Sequence, residues 1–269
     1  MNKIIYDAHL HSSLSYDSEC PMKELIKSGI EKALKGMYIT EHYDLDFPKE
    51  YNMDFTFNIN EYFNIIKSLQ KEFSNIIDIF PGIELGLMPH LNHQINDLIN
   101  DYPFDYIIGS THIIENKDPY YPEYWENKNI KDAYITYFNT SLENIQNINN
   151  FDAFGHLDYI SRYDQSKSYN SKEYMKHINE ILSLLIEKDK ALEINSAGLR
   201  KNLCTTNPDL YVVKRYKELG GKLITIGSDS HDSTNIAYGF DYIANLLLEV
   251  GFKHYNIYRQ RTPYEISLI

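Results

Sequence analysis

Seven short apolar runs alternate with segments of helical length, and six of the runs lead into a side chain able to bind metal. The runs are Ile4-Ile5-Tyr6, Gly36 to Thr40, Ile76 to Leu85, Tyr106 to Ser110, Ala153-Phe154, Ala191 to Ile194 and Leu223 to Ile226. Between them, Met22 to Lys35, Asn60 to Phe73, Leu91 to Asp101, Asp132 to Asn149, Ser171 to Lys188 and Pro208 to Leu219 carry apolar residues at three-and-four spacing, the period of a helix with one buried face. Alternation of this kind builds a parallel sheet, because each parallel connection needs a long crossover. The expectation is a closed or nearly closed α/β barrel in one domain, residues 1–269, since such barrels routinely occupy about 200 to 250 residues or more as a unit. A last helix, about Ala237 to Val250, is expected to precede a short run, Tyr255 to Tyr258, and an irregular tail containing Pro263.

Composition narrows the function classes. The net charge of -12 argues against nucleic acid, whose phosphates demand a basic footprint. No apolar stretch approaches the roughly 18 to 20 residues of a membrane span, and Met1 to Asp7 lacks the pattern of a signal peptide, so a cytoplasmic location is expected. Cys20 and Cys204 form no CxxC pair and are read as ordinary thiols.

The candidate ligands lie where the strands end. Asp7-Ala8-His9-Leu10-His11 follows the first run, and the i, i+2 spacing puts His9 and His11 on one face of an extended chain. His42 follows the second run, Glu84 closes the third, His112 the fourth and His156 the fifth, while the seventh leads into Asp229 and His231. Strand ends on one rim of a barrel bring such residues together, and imidazole with carboxylate suits Zn, Mn or Fe. His90, His93, His177 and His254 lack this placement and are read as surface or hydrogen-bonded side chains.

In order, the HxH of His9 and His11, Thr-Glu-His ending at His42, Pro-Gly-Ile-Glu ending at Glu84, Ser-Thr-His ending at His112, Gly-His-Leu-Asp from Gly155 and Gly-Ser-Asp-Ser-His from Gly227 resemble the polymerase and histidinol phosphatase (PHP) superfamily. The likeness runs from Asp7 to about Gly239. Gly-His-Leu-Asp-Tyr-Ile-Ser-Arg-Tyr (155 to 163) and Glu-Ile-Asn-Ser-Ala-Gly-Leu-Arg-Lys (193 to 201) look most like the stand-alone histidinol-phosphate phosphatases.

This resemblance implies a distorted (β/α)7 barrel, TIM-barrel-like, that hydrolyses L-histidinol phosphate to L-histidinol and phosphate in histidine biosynthesis. It also implies three divalent metal ions: one on His9, His11, Glu84 and Asp229, one on Glu84, His112 and His156, and one on Asp17, His42 and His231. Asp17 stands where some members carry His, and a carboxylate there is also a competent ligand. Six positive charges from three divalent ions, less those of Asp17, Glu84 and Asp229, leave a site of about +3 for a phosphate monoester. A hydroxide shared by the pair of ions joined at Glu84 is the expected nucleophile, with the third ion orienting phosphorus.

Arg162 and Arg200 each lie a few residues beyond a strand end and are expected to reach the phosphate, which guanidinium groups bind through paired charged hydrogen bonds. The departing alkoxide needs a proton, from Asp229, His231 or a metal-bound water, with Asp229 favoured. The loop from Glu115 to Trp125 offers acidic and aromatic side chains for the amine and imidazole, and Tyr120 or Tyr121 is a candidate donor to a phosphate oxygen. Competing readings are a PHP enzyme for another ester, such as a phosphotyrosine or a nucleotide, an amidohydrolase, and a non-catalytic module with structural metal. The open coordination expected here counts against the last, because structural zinc is normally closed by four protein ligands.

Overall fold

A computed structural model describes residues 3–200 and 203–269. Its elements run in the order β1 (Tyr6–Asp7), α1 (Met22–Glu31), β2 (Gly36–Tyr43), α2 (Ile59–Glu72), β3 (Asp78–Gly86), α3 (Asn92–Asp101), β4 (Tyr106–Ser110), α4 (Pro122–Trp125), α5 (Ile130–Asn147), β5 (Ala153–Phe154), α6 (Met175–Glu187), β6 (Ala191–Asn195), α7 (Ala197–Arg200), α8 (Leu210–Glu218), β7 (Ile224–Gly227), α9 (Phe240–Val250), β8 (His254–Arg259) and β9 (Thr262–Ser267). The first seven strands form one parallel sheet in sequential order. The seven expected strands are all present, within a few residues of their expected limits.

The sheet curls until its edges meet. Ala8 N donates to Ile226 O, Asp229 N to His9 O and His11 N to Ser230 O, each at 2.9 Å, and Leu10 bridges Ser230 in parallel. The segments just beyond β1 and β7 therefore close the barrel, and they are the segments that carry His9, His11, Asp229 and His231.

Helices cover the outside because their apolar stripes match the strands. On α2, Ile59, Tyr62, Ile66 and Leu69 are buried, and the Asn58 side chain caps the helix by accepting from Glu61 N at 3.2 Å. The Tyr62 hydroxyl donates to Ile39 O at 2.7 Å and accepts from Gly82 N at 2.9 Å, pinning α2 to two adjacent strands. On α6, Ile178, Ile181, Leu182 and Leu185 form the buried stripe, with Ile186 half-buried at its margin. Pro208 immediately precedes Asp209, the N-terminal cap of α8. Among the described residues no helix is long and apolar enough to cross a membrane.

The chain end departs from expectation. In place of an irregular tail, β8 and β9 make an antiparallel hairpin, with Pro263 opposite Tyr258. Gln260 and Arg261 both adopt positive φ, 48° and 64°, the backbone of a tight hairpin turn that usually advertises itself with Asn-Gly or Asp-Gly. The hairpin plugs the N-terminal end of the barrel. Tyr38 donates its hydroxyl to Tyr258 O at 2.5 Å, Tyr255 accepts from Ile5 N at 3.0 Å, and Asn256 accepts from Ile224 N at 2.9 Å. With that end sealed by buried aromatic side chains, access is left to the opposite rim.

Candidate metal centre

Glu84 is the hub of the open rim. It ends the inward-facing register of β3 and is fully buried, with five imidazoles around its two oxygens. Oε2 lies 3.2 Å from His9 Nε2, 3.5 Å from His11 Nε2 and 2.9 Å from His42 Nδ1. Oε1 lies 3.4 Å from His112 Nε2 and 2.8 Å from His156 Nε2. Asp229 Oδ1 stands 3.5 Å from His11 and 3.8 Å from His9. At the outer edge, Asp17 Oδ2 reaches His231 Nε2 at 3.1 Å and His42 Nε2 at 3.6 Å. The nine residues picked out from the sequence thus meet in one place.

Four overlapping triads bring their donor atoms within 4.8 Å of one another: His11, His42 and His231; His9, His11 and Glu84; His9, His156 and Asp229; and His42, Glu84 and His112. Their chemistry fits divalent ions. The buried atoms His9 Nε2, His11 Nε2, His42 Nδ1, Glu84 Oε2 and His231 Nε2 point into the cluster without a hydrogen-bond partner, an arrangement that is costly unless a cation lies among them.

Further carboxylates aim the rings from behind. Glu193 Oε1 sits 2.5 Å from His9 Nδ1, and both oxygens of Asp44 lie 3.0 to 3.1 Å from His112 Nδ1. Burial favours the neutral form of each ring. At His9 the carboxylates of Glu193, Glu84 and Asp229 outweigh that and hold the imidazole well above its ordinary range. At His112 burial is outweighed by Asp44 and Glu84, which push it up to about 10. His11 goes the other way: burial, then the neighbouring His42 and His231, hold it well below its ordinary range.

Asp229 occupies its place under backbone strain, with φ of 53°, a conformation worth on the order of 1 to 3 kcal/mol that persists only where surroundings over-determine it. Here they do. Asp229 Oδ2 accepts from Arg162 Nη1 at 2.7 Å and from Asn195 Nδ2 at 3.3 Å, while Oδ1 faces the imidazoles. Burial works against the charged form of Asp229, but Arg162, His9 and His11 outweigh it and hold the carboxyl well below its ordinary range. Gly227, just before it, packs against His9, and any side chain there would strike His9 and Glu193.

A cavity of about 540 Å³ opens above the cluster. Arg162 lines it, its guanidinium also donating to Asn207 Oδ1 at 3.0 Å and Asn195 Oδ1 at 2.9 Å. Three of its five N–H groups are thereby used, which leaves two for a ligand. Arg200 lines the cavity too, but its Nη2 donates to the carbonyls of Ser228 and Asp229. Tyr120 is exposed at the mouth. Tyr121 also lines the cavity, with its hydroxyl 3.1 Å from Met53 Sδ and its ring stacked on Tyr51 at 4.0 Å.

The sequence reading missed Glu193, Asp44, Asn195 and Asn207, whose contacts support the ligands and Arg162. His90, His93, His177 and His254 stay outside the cluster, beside Asp46, Asp97, Asn139 and Glu265 respectively. Cys20 and Cys204 are free thiols.

A parallel barrel with histidine and carboxylate donors converging at the C-terminal ends of its strands defines a class of metal-binding α/β barrels. The PHP domain matches residues 7–197, and the chain belongs to that family. It is similar to the histidinol-phosphatase of Lactococcus lactis subsp. lactis, 36% identical over 249 residues, 91% of each chain. A Clostridium acetobutylicum protein named as a probable histidinol-phosphatase is 36% identical over 242 residues, 88% of this chain and 90% of that one. Among solved structures, the histidinol phosphate phosphatase of Lactococcus lactis subsp. lactis, complexed with zinc, L-histidinol and phosphate, superposes with a TM-score of 0.89 at 33% identity, covering 96% of this chain and 98% of that one.

Proposed function

We propose that this protein is a metal-dependent phosphomonoesterase that hydrolyses L-histidinol phosphate to L-histidinol and phosphate in histidine biosynthesis. The observation that carries the reading is the Glu84 hub, five imidazoles around one buried carboxylate on the floor of a cavity that also holds Arg162. The relative of known structure supports it, since that protein was crystallised with zinc and with both products of this reaction.

We assign three divalent ions, zinc, manganese or iron, to His9, His11, Glu84 and Asp229; to Glu84, His112 and His156; and to Asp17, His42 and His231. Bound there, such ions supply Lewis-acid charge and a water acidic enough to attack phosphorus at neutral pH. Asp17, Glu84 and Asp229 offset only part of that positive charge, so the pocket favours a phosphate within an acidic protein.

The chain's own residues do the rest. Arg162, held on three sides, presents its two remaining N–H groups to phosphate oxygens without reorganising. Glu193 and Asp44 keep His9 and His112 in the tautomer that leaves Nε2 as the donor. Asp229 and His231, both lining the cavity, are the protein groups placed to supply the proton for the departing alkoxide. A small intermediate of amino-acid biosynthesis is made and used in the cytoplasm, which is the location we assign.

The test is steady-state kinetics on L-histidinol phosphate and a panel of phosphate monoesters, with protein reconstituted in Zn, Mn or Fe. The expected result is a higher kcat/KM for L-histidinol phosphate than for phenyl phosphate and about three ions per chain. Equal values for the two esters would remove the substrate assignment.

A further inference from the structure

Five aspartates line the cavity: Asp17, Asp44, Asp118, Asp229 and Asp232. Four are already engaged. Asp17 faces His42 and His231, Asp44 grips His112, Asp229 pairs with Arg162, and Asp232 is tied to Thr234 and Asn235 of its own turn.

Asp118 differs. It is 7% exposed, and among the described residues it makes no ion pair. Its Oδ1 accepts from Tyr120 N at 2.8 Å and from the Tyr159 hydroxyl at 3.4 Å, while its Oδ2 has no hydrogen-bond partner among those residues. Burial pushes this carboxyl up to about 6, so the charged form is under-stabilised by the protein alone and gains from an external cation.

Its position matches a substrate rather than an ion. The Tyr159 ring that joins it stands 5.2 Å from the His112 ring and 5.0 Å from the His156 ring, which puts Asp118 beside the donor cluster and not inside it. Tyr159 reaches the carboxylate through its hydroxyl, and Tyr120 and Tyr159 both pack against Tyr163 at 5.4 and 5.0 Å in the same cavity wall. A carboxylate in a cavity wall that also carries tyrosine rings suits an organic ammonium better than a small hydrated ion. In L-histidinol phosphate the amine is one carbon removed from the ester CH2, which keeps it within a few ångströms of the phosphate.

Resting on the phosphatase reading above, we propose that Asp118 is a specificity-determining residue, whose carboxylate pairs with the ammonium group of the substrate. Phosphate affinity and amine recognition are then separate functions of one cavity. The ion cluster and Arg162 read the phosphate, and Asp118 reads the positive charge on the alcohol.

The test compares two esters that differ only in the amine, L-histidinol phosphate and imidazolylpropyl phosphate, on wild type and Asp118→Asn. The substitution should lower kcat/KM for L-histidinol phosphate by about 10- to 100-fold and leave the amine-free ester within about threefold. An equal loss on both esters, as a structural role would give, or no loss on L-histidinol phosphate, overturns the proposal. If wild type shows no preference for L-histidinol phosphate over phenyl phosphate, the substrate reading fails. Asp118 is then judged on phosphoethanolamine against ethyl phosphate, where an unchanged ratio in Asp118→Asn overturns it. Should the variant not fold, inhibition of wild-type phenyl phosphate turnover decides. L-histidinol binding more tightly than imidazolylpropanol supports the pairing, and equal inhibition overturns it.

Discussion

Glu193 Oε1 lies 2.5 Å from Nδ1 of His9, on the opposite ring nitrogen from the one that faces Glu84. The one barrel strand that supplies no candidate ligand, β6, therefore acts on the cluster from behind. A carboxylate in that position fixes a ligand's tautomer and raises its basicity.

Glu193→Gln should therefore weaken metal binding by about 10- to 100-fold while every proposed ligand stays in place. Titration against a competing chelator reads this directly. Affinity equal to wild type would leave Glu193 with no part in the centre.

Glu84→Ala should cost turnover roughly 100- to 1000-fold or more, together with a fall in metal content by elemental analysis. Every inner imidazole of the cluster faces this carboxylate. Substantial retained activity would sink the bridging assignment.

Arg162→Lys keeps the charge but cannot hold Asp229, Asn195 and Asn207 at once. The expected loss in kcat/KM is about 10- to 100-fold, with KM raised, because a lysine offers a point charge in place of a planar fork. Unchanged kinetics would show that charge alone suffices there.

Asp118 gives a pH dependence of stability with a definite sign. Its folded carboxyl takes up a proton near 6, above its ordinary 3.8. Between those values the folded chain retains a proton that the unfolded chain has lost, so its contribution is full below about pH 4 and declines as pH rises through about 6, about 3 kcal/mol in all. Urea unfolding of wild type and Asp118→Asn at about pH 4 and about pH 8 should show the variant gaining relative stability at the higher pH. A pH-independent difference would contradict it.

The barrel's lower plug is testable apart from chemistry. Arg261 Nε donates to Asp152 Oδ2 at 2.5 Å, and the same oxygen accepts from Ile107 N at 2.9 Å. Arg261→Ala leaves a buried carboxylate without its counter-charge and should destabilise the chain by about 2 to 3 kcal/mol. Thermal unfolding should record this, with kcat close to that of wild type.

The candidate ligands were legible because strand ends convert sequence order into a ring: His9, His42, His112, His156 and Asp229 each follow an apolar run, Glu84 lies at the end of one, and a barrel gathers such positions. Their supports were less so. Glu193 gave a local signal, the only charged residue in the run from Ala191 to Ile194, and a charge in a buried strand needs a partner, but nothing local names His9, 184 positions away. Asn195 and Asn207 act by orienting Arg162, which depends on side-chain geometry alone. The β8–β9 hairpin escaped notice because Gln260-Arg261 turns the chain without the usual glycine or asparagine.

The barrel's seam is stitched by His9, His11, Asp229 and Ser230, so wall and chemistry share one set of backbone hydrogen bonds. An insertion that shifted the first strand against the last by one residue would do more than loosen a joint. It would turn His9 and His11 outward and bring their neighbours in, erasing the centre in one step. Loops elsewhere on the rim can lengthen and diversify, while this join has no latitude: the molecule's freedom to acquire new substrates lies in the other loops.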